Sequence, residues 1–279
     1  MASLDTLYFA NQSAASQGLN IFTPNMETPV MWIRWLGTVS SGATVEVAAT
    51  TGDITFTTDG STVDTTIDSG LSDGGTSDPG VIDVSDTVAN TFGKVAGLIN
   101  ASENWQCYLL GVLPEDGSGA WMIATTTAID VSTAAMQTTG LYLFGDEGNS
   151  FDVAYAISGF DPSKSTTEHY DDDDCVSYLQ WALCNLDSTS EGTFRVYSAN
   201  QTSSTLLFKY IQTDDTTFTY GDLKVRASIV QSKIGERLVV MGRNDEDGQA
   251  TDEFNCLGWT VDRSGQRYVN GYKLTNANA

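Results

Sequence analysis

With 279 residues the chain is long enough for two domains of ordinary size, and its 41% hydrophobic and 10% aromatic content marks a folding sequence, not a disordered one. Thirty-six acidic against 13 basic residues give a formal net charge of -23. That surface repels nucleic-acid phosphates and anionic lipids, so neither nucleic acid nor membrane is an expected partner.

No stretch approaches the roughly 20 apolar residues that span a bilayer. The opening MASLDTLYFANQSA has no basic region followed by an apolar block, so it does not read as a secretory signal. The cysteines, Cys107, Cys175, Cys184 and Cys256, are too few and too widely spaced for a zinc pattern or a dense disulfide framework. They read as reduced, mainly buried thiols, with one bridge between Cys175 and Cys184 as the alternative.

The expected class is mainly β, in three parts. Residues 1–29 form an N-terminal arm, residues 30–148 a small α+β domain with one helix, and residues 149–279 a β-sandwich or jelly-roll-like domain. The arm mixes small polar residues with Leu7, Tyr8, Phe9, Ile21 and Phe22 and shows no sustained period. It cannot bury those groups alone, so it must lie on its own body or on a neighbour. Burying three of them on a partner is worth on the order of 5 kcal/mol, at about 1.5–3 kcal/mol per side chain. Ordering the backbone at roughly 1–2 kcal/mol per residue consumes most of that gain. The expectation is therefore an arm loosely held in the free protein and ordered on its partner, by strand addition or in apolar pockets.

From Met31 the period is that of strands: MWIRWLG, ATVEVAA and DITFTTDG alternate in turn. A polar, Gly-rich loop over 59–80 follows, with one weak strand near Val63 to Ile67. Val88, Phe92, Val95, Leu98 and Ile99 then recur at helical spacing, with Ser85 or Asp86 as the cap. Gly93 and Gly97 each cost that helix about 1 kcal/mol relative to alanine, which packing must offset, and close approach to a sheet is the use they would serve. WQCYLLGVL and WMIATTTAIDV read as two further strands. The second half offers six runs: VSYLQWALCNL, GTFRVYSA, TLLFKYIQ, LKVRASIV, ERLVVMGRN and FNCLGWTVDR. In the fourth, Leu223, Val225, Ala227 and Ile229 face one way. Short strands at this spacing argue for a sandwich or jelly roll.

Candidate chemistry is sparse. The stretch HYDDDDC holds His169, the only histidine, beside four aspartates and Cys175. A zinc or other transition-metal site needs several His or Cys ligands, and no G-x-S-x-G elbow accompanies His169 to make a triad. Adjacent aspartates diverge along an extended chain, so at most two, Asp171 and Asp173, can share a Ca2+ with backbone carbonyls. A solvated acidic turn leading into Val176 is the simpler reading. In NDEDGQATDEF, Asp245, Asp247 and Gly248 suggest a calcium loop, but its first and twelfth ligand positions fall on Arg243 and Phe254, so a hairpin turn is expected. Asp59, Asp64 and Asp68 read as a solvated loop. The tryptophans Trp32, Trp35, Trp105, Trp121, Trp181 and Trp259 sit in apolar runs and read as core or interface packing before a sugar platform. No catalytic residue, metal or cofactor is expected.

What remains is a chemistry-poor β protein rich in Thr, Ser, Asp and Gly behind an irregular arm. The arm up to Pro29, ATVEVAATTGDITFTTDG, SDTVANTFGKVAGLINASENWQCYLLGVLPED, GTFRVYSANQTSSTLLFKYIQ and GERLVVMGRN together resemble virion structural proteins of tailed bacteriophages, most of all the capsid decoration (cement) proteins. The resemblance spans most of the chain and lies in composition and layout. It implies a non-enzymatic protein, assembled in the host cytoplasm, that binds the major capsid protein on the outer shell, as a homo-oligomer, a trimer. The alternatives are a tail, baseplate or fibre-associated protein that binds host glycans, and a polysaccharide hydrolase acting through paired carboxylates.

Overall fold

The computed structural model describes residues 8–13, 28–67, 72–73, 76–77, 79–118, 122–145, 153–158, 160, 175–185, 192–212, 224–225, 230–244, 253–262, 267–269 and 272–273. The strands of the first half are β1 (Tyr8–Ser13), β2 (Thr28–Trp35), β3 (Thr44–Val47), β4 (Ile54–Thr57), β5 (Ser72–Asp73), β6 (Thr76–Ser77), β7 (Val81–Ile82), β8 (Trp105–Leu109), β9 (Ile129–Asp130) and β10 (Leu141–Gly145). Those of the second are β11 (Val153–Ile157), β12 (Cys175–Asn185), β13 (Gly192–Ala199), β14 (Ser204–Gln212), β15 (Lys224–Val225), β16 (Val230–Gln231), β17 (Arg237–Asn244), β18 (Glu253–Asp262), β19 (Arg267–Val269) and β20 (Tyr272–Lys273). Two helices accompany them, α1 (Phe92–Ala101) and α2 (Ala134–Thr139). The fold is mainly β, as the alternating runs imply.

In the first half, β2 lies between β10 and β8, and a second sheet runs β7-β4-β3-β9. β2 is buried on both faces. Met31, Ile33 and Trp35 enter the main core with Val45, Phe56, Val95 and Trp105, while Trp32 packs with Tyr108, Leu110 and Phe160. Val30 breaks the alternation. Leu143 pairs with Met31 and Phe144 with Pro29, so Val30 is the extra residue of a bulge and joins Met31 in the main core.

Helix α1 begins later than its periodicity predicts. Its N-cap is Thr91, not Ser85 or Asp86, and Val88 is exposed. The reason is tertiary. The Phe92 and Gly93 N–H groups, which need acceptors at a helix start, donate to the Asp116 and Pro114 carbonyls at 3.0 and 2.9 Å. Upstream, Asp83 and Asp86 hold turns of their own by accepting from Ser85 and Val88. The glycines of α1 differ in role: a Cβ on Gly93 would meet Pro114 at 2.9 Å, whereas Gly97 faces open space.

Three other expectations change. The strand expected over 121–131 reduces to β9, with Met122 making one isolated bridge to Gly145. The weak strand near Val63 is one bridge to Thr57 followed by a turn. The expected single helix has a companion, α2, whose six residues carry no apolar period. Its caps make it: Thr133 accepts from Met136 N–H, and Gly140 closes it at φ 68 by donating to Met136. Trp32 Nε1 then donates to the Thr139 carbonyl at 2.7 Å, pinning the helix end to β2.

In the second half the chain alternates between two antiparallel sheets. One is β15-β12-β18-β19-β20, with β16 also on β12 and β1 also on β18; the other is β11-β17-β13-β14. They approach where β12 meets β17 and where β11 meets β12 and β18, the arrangement of a sandwich. β17 and β18 lie in different sheets and do not pair with each other, so they are not the two arms of the expected hairpin. Cys175 and Cys184 both lie on β12, nine positions apart. At ~3.3 Å per residue that is about 30 Å, far beyond disulfide reach, so the bridge is ruled out.

Strand pairing keeps the two halves apart except through β1, but the core does not. Ala199, Val239 and Met241 belong to the main cluster. Arg237 is fully buried and donates from Nε to the Leu110 carbonyl, from Nη2 to Val112 and from Nη1 to Asn200, each at 2.8 Å. Gln201 Oε1 accepts from Leu109 N–H at 2.6 Å beside it.

The α1 glycines give a paired test. Gly97→Ala should raise stability by up to about 1 kcal/mol, the helix-propensity gain at an exposed site. Gly93→Ala should lower stability despite the same gain, because the backbone of Pro114 cannot move away. Urea denaturation of both variants measures the difference.

Candidate docking surface

Asp64 forms the most developed polar cluster. It follows the bridge at Val63 and is 1% exposed, not solvated as its loop predicts. Its Oδ1 accepts from Thr66 N–H at 2.9 Å and Thr66 Oγ1 at 2.6 Å; its Oδ2 accepts from Trp105 Nε1 at 2.7 Å and Asn104 Nδ2 at 3.1 Å. Burial pushes the carboxyl's pKa up, but the bonds from Thr66, Trp105 and Asn104 outweigh it and hold the group below the usual carboxylate range. Trp105 is thereby fixed at the centre of an aromatic group, 4.8 Å from Trp35 and 4.9 Å from Phe56 between ring centroids. With four donors on its two oxygens, this carboxylate orients a tryptophan. It has no capacity left for a metal or a substrate proton.

The same local device recurs. Asp59, Asp83 and Asp130 each accept from both the N–H and the hydroxyl of the Ser two residues on, and Asn200 does so from Thr202. Asp59 sits in an exposed turn, where bonds from Thr62 and Ser61 lower its pKa to about 2. The described acidic loops are rigid Asx turns whose oxygens face the chain's own donors.

A second cluster joins the two C-terminal sheets. Ser198 Oγ, fully buried on β13, donates to Glu236 Oε2 at 2.5 Å and accepts from Lys233 N–H at 2.9 Å. One step along, Ser232 and Ser177 exchange bonds at 2.9 Å. A serine beside a glutamate invites a catalytic reading, but this hydroxyl has no access to substrate, and the cluster instead fixes the corner where the chain passes from β16 to β17. Cys107 is buried, and burial pushes its thiol far above the ordinary value, which leaves it inert.

Of the residues singled out by sequence, Tyr8 and Phe9 lie on β1, which pairs along all six residues with β18 of the same chain, Tyr8 opposite Gly258 and Ser13 opposite Glu253. Of the two placements open to the arm, its own body is the one this strand takes. Strand addition is present, but on the chain's own sheet, which replaces the expectation of a loosely held segment at residues 8–13. Leu7, Ile21, Phe22, Asp68, Trp121, His169, Asp171, Asp173, Asp245 and Asp247 lie outside the described residues. Trp32, Trp35 and Trp105 are buried core residues, as read. Among the described residues no three His, Cys, Asp or Glu side chains converge as a metal set.

One surface stands out that sequence reasoning passed over. β14 ends its four-stranded sheet and, among the described strands, pairs only with β13. It carries exposed Leu206 and Leu207, 47% and 38% accessible, with exposed Lys209 just beyond. The signal was legible: TLLFKYIQ has two adjacent leucines where an edge strand alternating with solvent would have one.

No protein-family model matches the chain, and no curated protein or solved structure is significantly similar to it.

Asp64→Asn should cost roughly 1–3 kcal/mol at neutral pH, because one carboxylate oxygen becomes a donor facing donors. A depressed carboxyl contributes stability above its unfolded value, about 3.9, and loses it as pH falls through the folded value. The gap between wild type and Asp64→Asn should therefore narrow steadily below about pH 4. Urea unfolding followed by tryptophan fluorescence at several pH values checks this, and a gap independent of pH would remove Asp64 from the account.

Proposed function

We propose that this chain is a non-enzymatic structural protein that works by its surfaces, and, within that class, a phage capsid decoration protein bound to the major capsid protein as a closed homo-oligomer. One observation carries the non-enzymatic part. The described buried polar clusters, at Asp64, Ser198 and Arg237, all bond to groups of the fold itself, and none presents a reactive atom to a cleft. Structural proteins are built this way, because their polar interior serves to fix one arrangement of strands.

The capsid assignment rests on the resemblance in layout: an arm, a small α+β unit, a sandwich and a strongly acidic surface. A shell exposed to a crowded host is served by an anionic outer face that neither binds nucleic acid nor sticks to itself. The arm enters this reading as a strap. Because β1 fills the edge of β18, the arm anchors to the sandwich, and the remainder of residues 1–29 supplies the grip on the lattice.

Two measurements test the proposal. Purified protein screened against ester, phosphoester and polysaccharide substrates should show no turnover; turnover abolished by one carboxylate-to-amide substitution would overturn the non-enzymatic reading. The chain should also co-purify with capsids in fixed ratio to the major capsid protein, whereas a few copies per virion would place it in the tail.

The arm gives a further check. Deleting residues 2–13 should lower the melting temperature of the free protein, because it strips the six-residue pairing from β18. A truncated chain that melts like the full one would show that β1 contributes nothing to the sandwich.

A further inference from the structure

We infer that the outer edge of β14 is the surface through which copies of this chain join, head to tail. This rests on the homo-oligomer part of the proposed reading and adds where the contact lies and what holds it. An end strand presents a row of backbone N–H and C=O groups that another chain can complete. Natural edges of this length are usually blunted on both faces, but here Leu206 and Leu207 are both substantially exposed. The register slips between Val196 and Tyr197 on β13, which face Phe208 and Leu206, so Leu207 is an added residue in a bulge and widens the apolar strip.

Charge names the occupant. The four strands of this sheet carry none of the chain's 36 acidic residues; of their basic residues Lys209 is exposed, Arg195 half-buried and Arg237 fully buried in the joint between the halves. Lys209 is exposed on the edge strand and Arg195 lies opposite it on β13. Two carboxylates lie near the start of β14, Glu115 accepting from Ser204 N–H at 2.7 Å and Glu236 3.8 Å from Lys233. Two copies at -23 each repel one another over most of their surfaces. The acid-free sheet is where one copy can approach the acidic surface of another with attraction.

Two-fold pairing of β14 with its own counterpart would instead bring Lys209 near Lys209 on one face, a like-charge contact that edges use to prevent pairing. Lysine on this edge therefore blocks the symmetric contact and favours the head-to-tail one. Head-to-tail contacts close into rings when the rotation permits, which suits a trimer.

Sedimentation velocity on the full chain, over a wide concentration range and at about 0.01 M and about 1 M salt, tests this, since the screening length falls from ~30 to ~3 Å between them. Wild type should associate, and the loss caused by Lys209→Glu should be larger at low salt than at high salt, where the charge attraction at the contact is screened. Lys209→Glu, which alters one exposed charge, and the double variant Leu206→Thr with Leu207→Thr should each weaken association tenfold or more while circular dichroism stays native. If the double variant fails to fold, Lys209→Glu decides alone. A wild type that is monomeric throughout overturns both the edge and the homo-oligomer. An oligomer that persists in the variants overturns the β14 contact and leaves the homo-oligomer reading standing.

Discussion

A guanidinium taken fully out of water must find acceptors for its N–H groups, or it costs several kcal/mol. Arg237 meets that demand across the boundary between the two halves. Its acceptors include the carbonyls of Leu110 and Val112, in the segment that follows β8, and those of Ala199 and Asn200, at the turn between β13 and β14. Hydrogen bonds to a charged group contribute about 1.5–3 kcal/mol each, and the two to Leu110 and Val112 require the halves to be in register. Met241 and Val239 on the same strand enter the first half's core, and Phe160 stacks with Tyr108 at 4.5 Å on the other face of β2. The halves are two sets of strands around a shared joint.

That joint explains the division of labour among polar residues. Loops rich in Asp, Ser and Thr normally carry conformational freedom, yet here Asx turns fix many of them, so rigidity comes from local bonds where the core is thin. Asp64 takes the device furthest: a turn-forming aspartate carried inside, where its second oxygen reaches Trp105 and Asn104. A charge is thus spent on orienting the largest aromatic of the core, at a position 41 residues away in sequence.

On the proposed reading, function lies at the surface. The acidic residues lie outside the strands of the four-stranded sheet, which carry four of the chain's 13 basic residues. A strongly acidic molecule with an exposed lysine on its end strand is, on that reading, suited to ordered contact between copies.

Period and composition determined much of this before any coordinates. Alternation located β2, β3 and β4, because a strand must place every second side chain on one face, and apolar runs bounded by turns located β12, β13, β14, β17 and β18. The helix was visible from Phe92, Val95 and Ile99 for the equivalent reason. Tertiary structure decided what period cannot express. Where α1 starts was set by the Pro114 and Asp116 carbonyls, α2 by caps and a tryptophan on β2, and the burial of Asp64 by donors from distant segments. Whether β17 and β18 form a hairpin depended on which sheet each strand joins, and whether Cys175 can meet Cys184 on their lying along one extended strand. A pattern along one chain fixes which face of a strand is apolar; its neighbours are chosen by backbone hydrogen bonds that carry no side-chain signature.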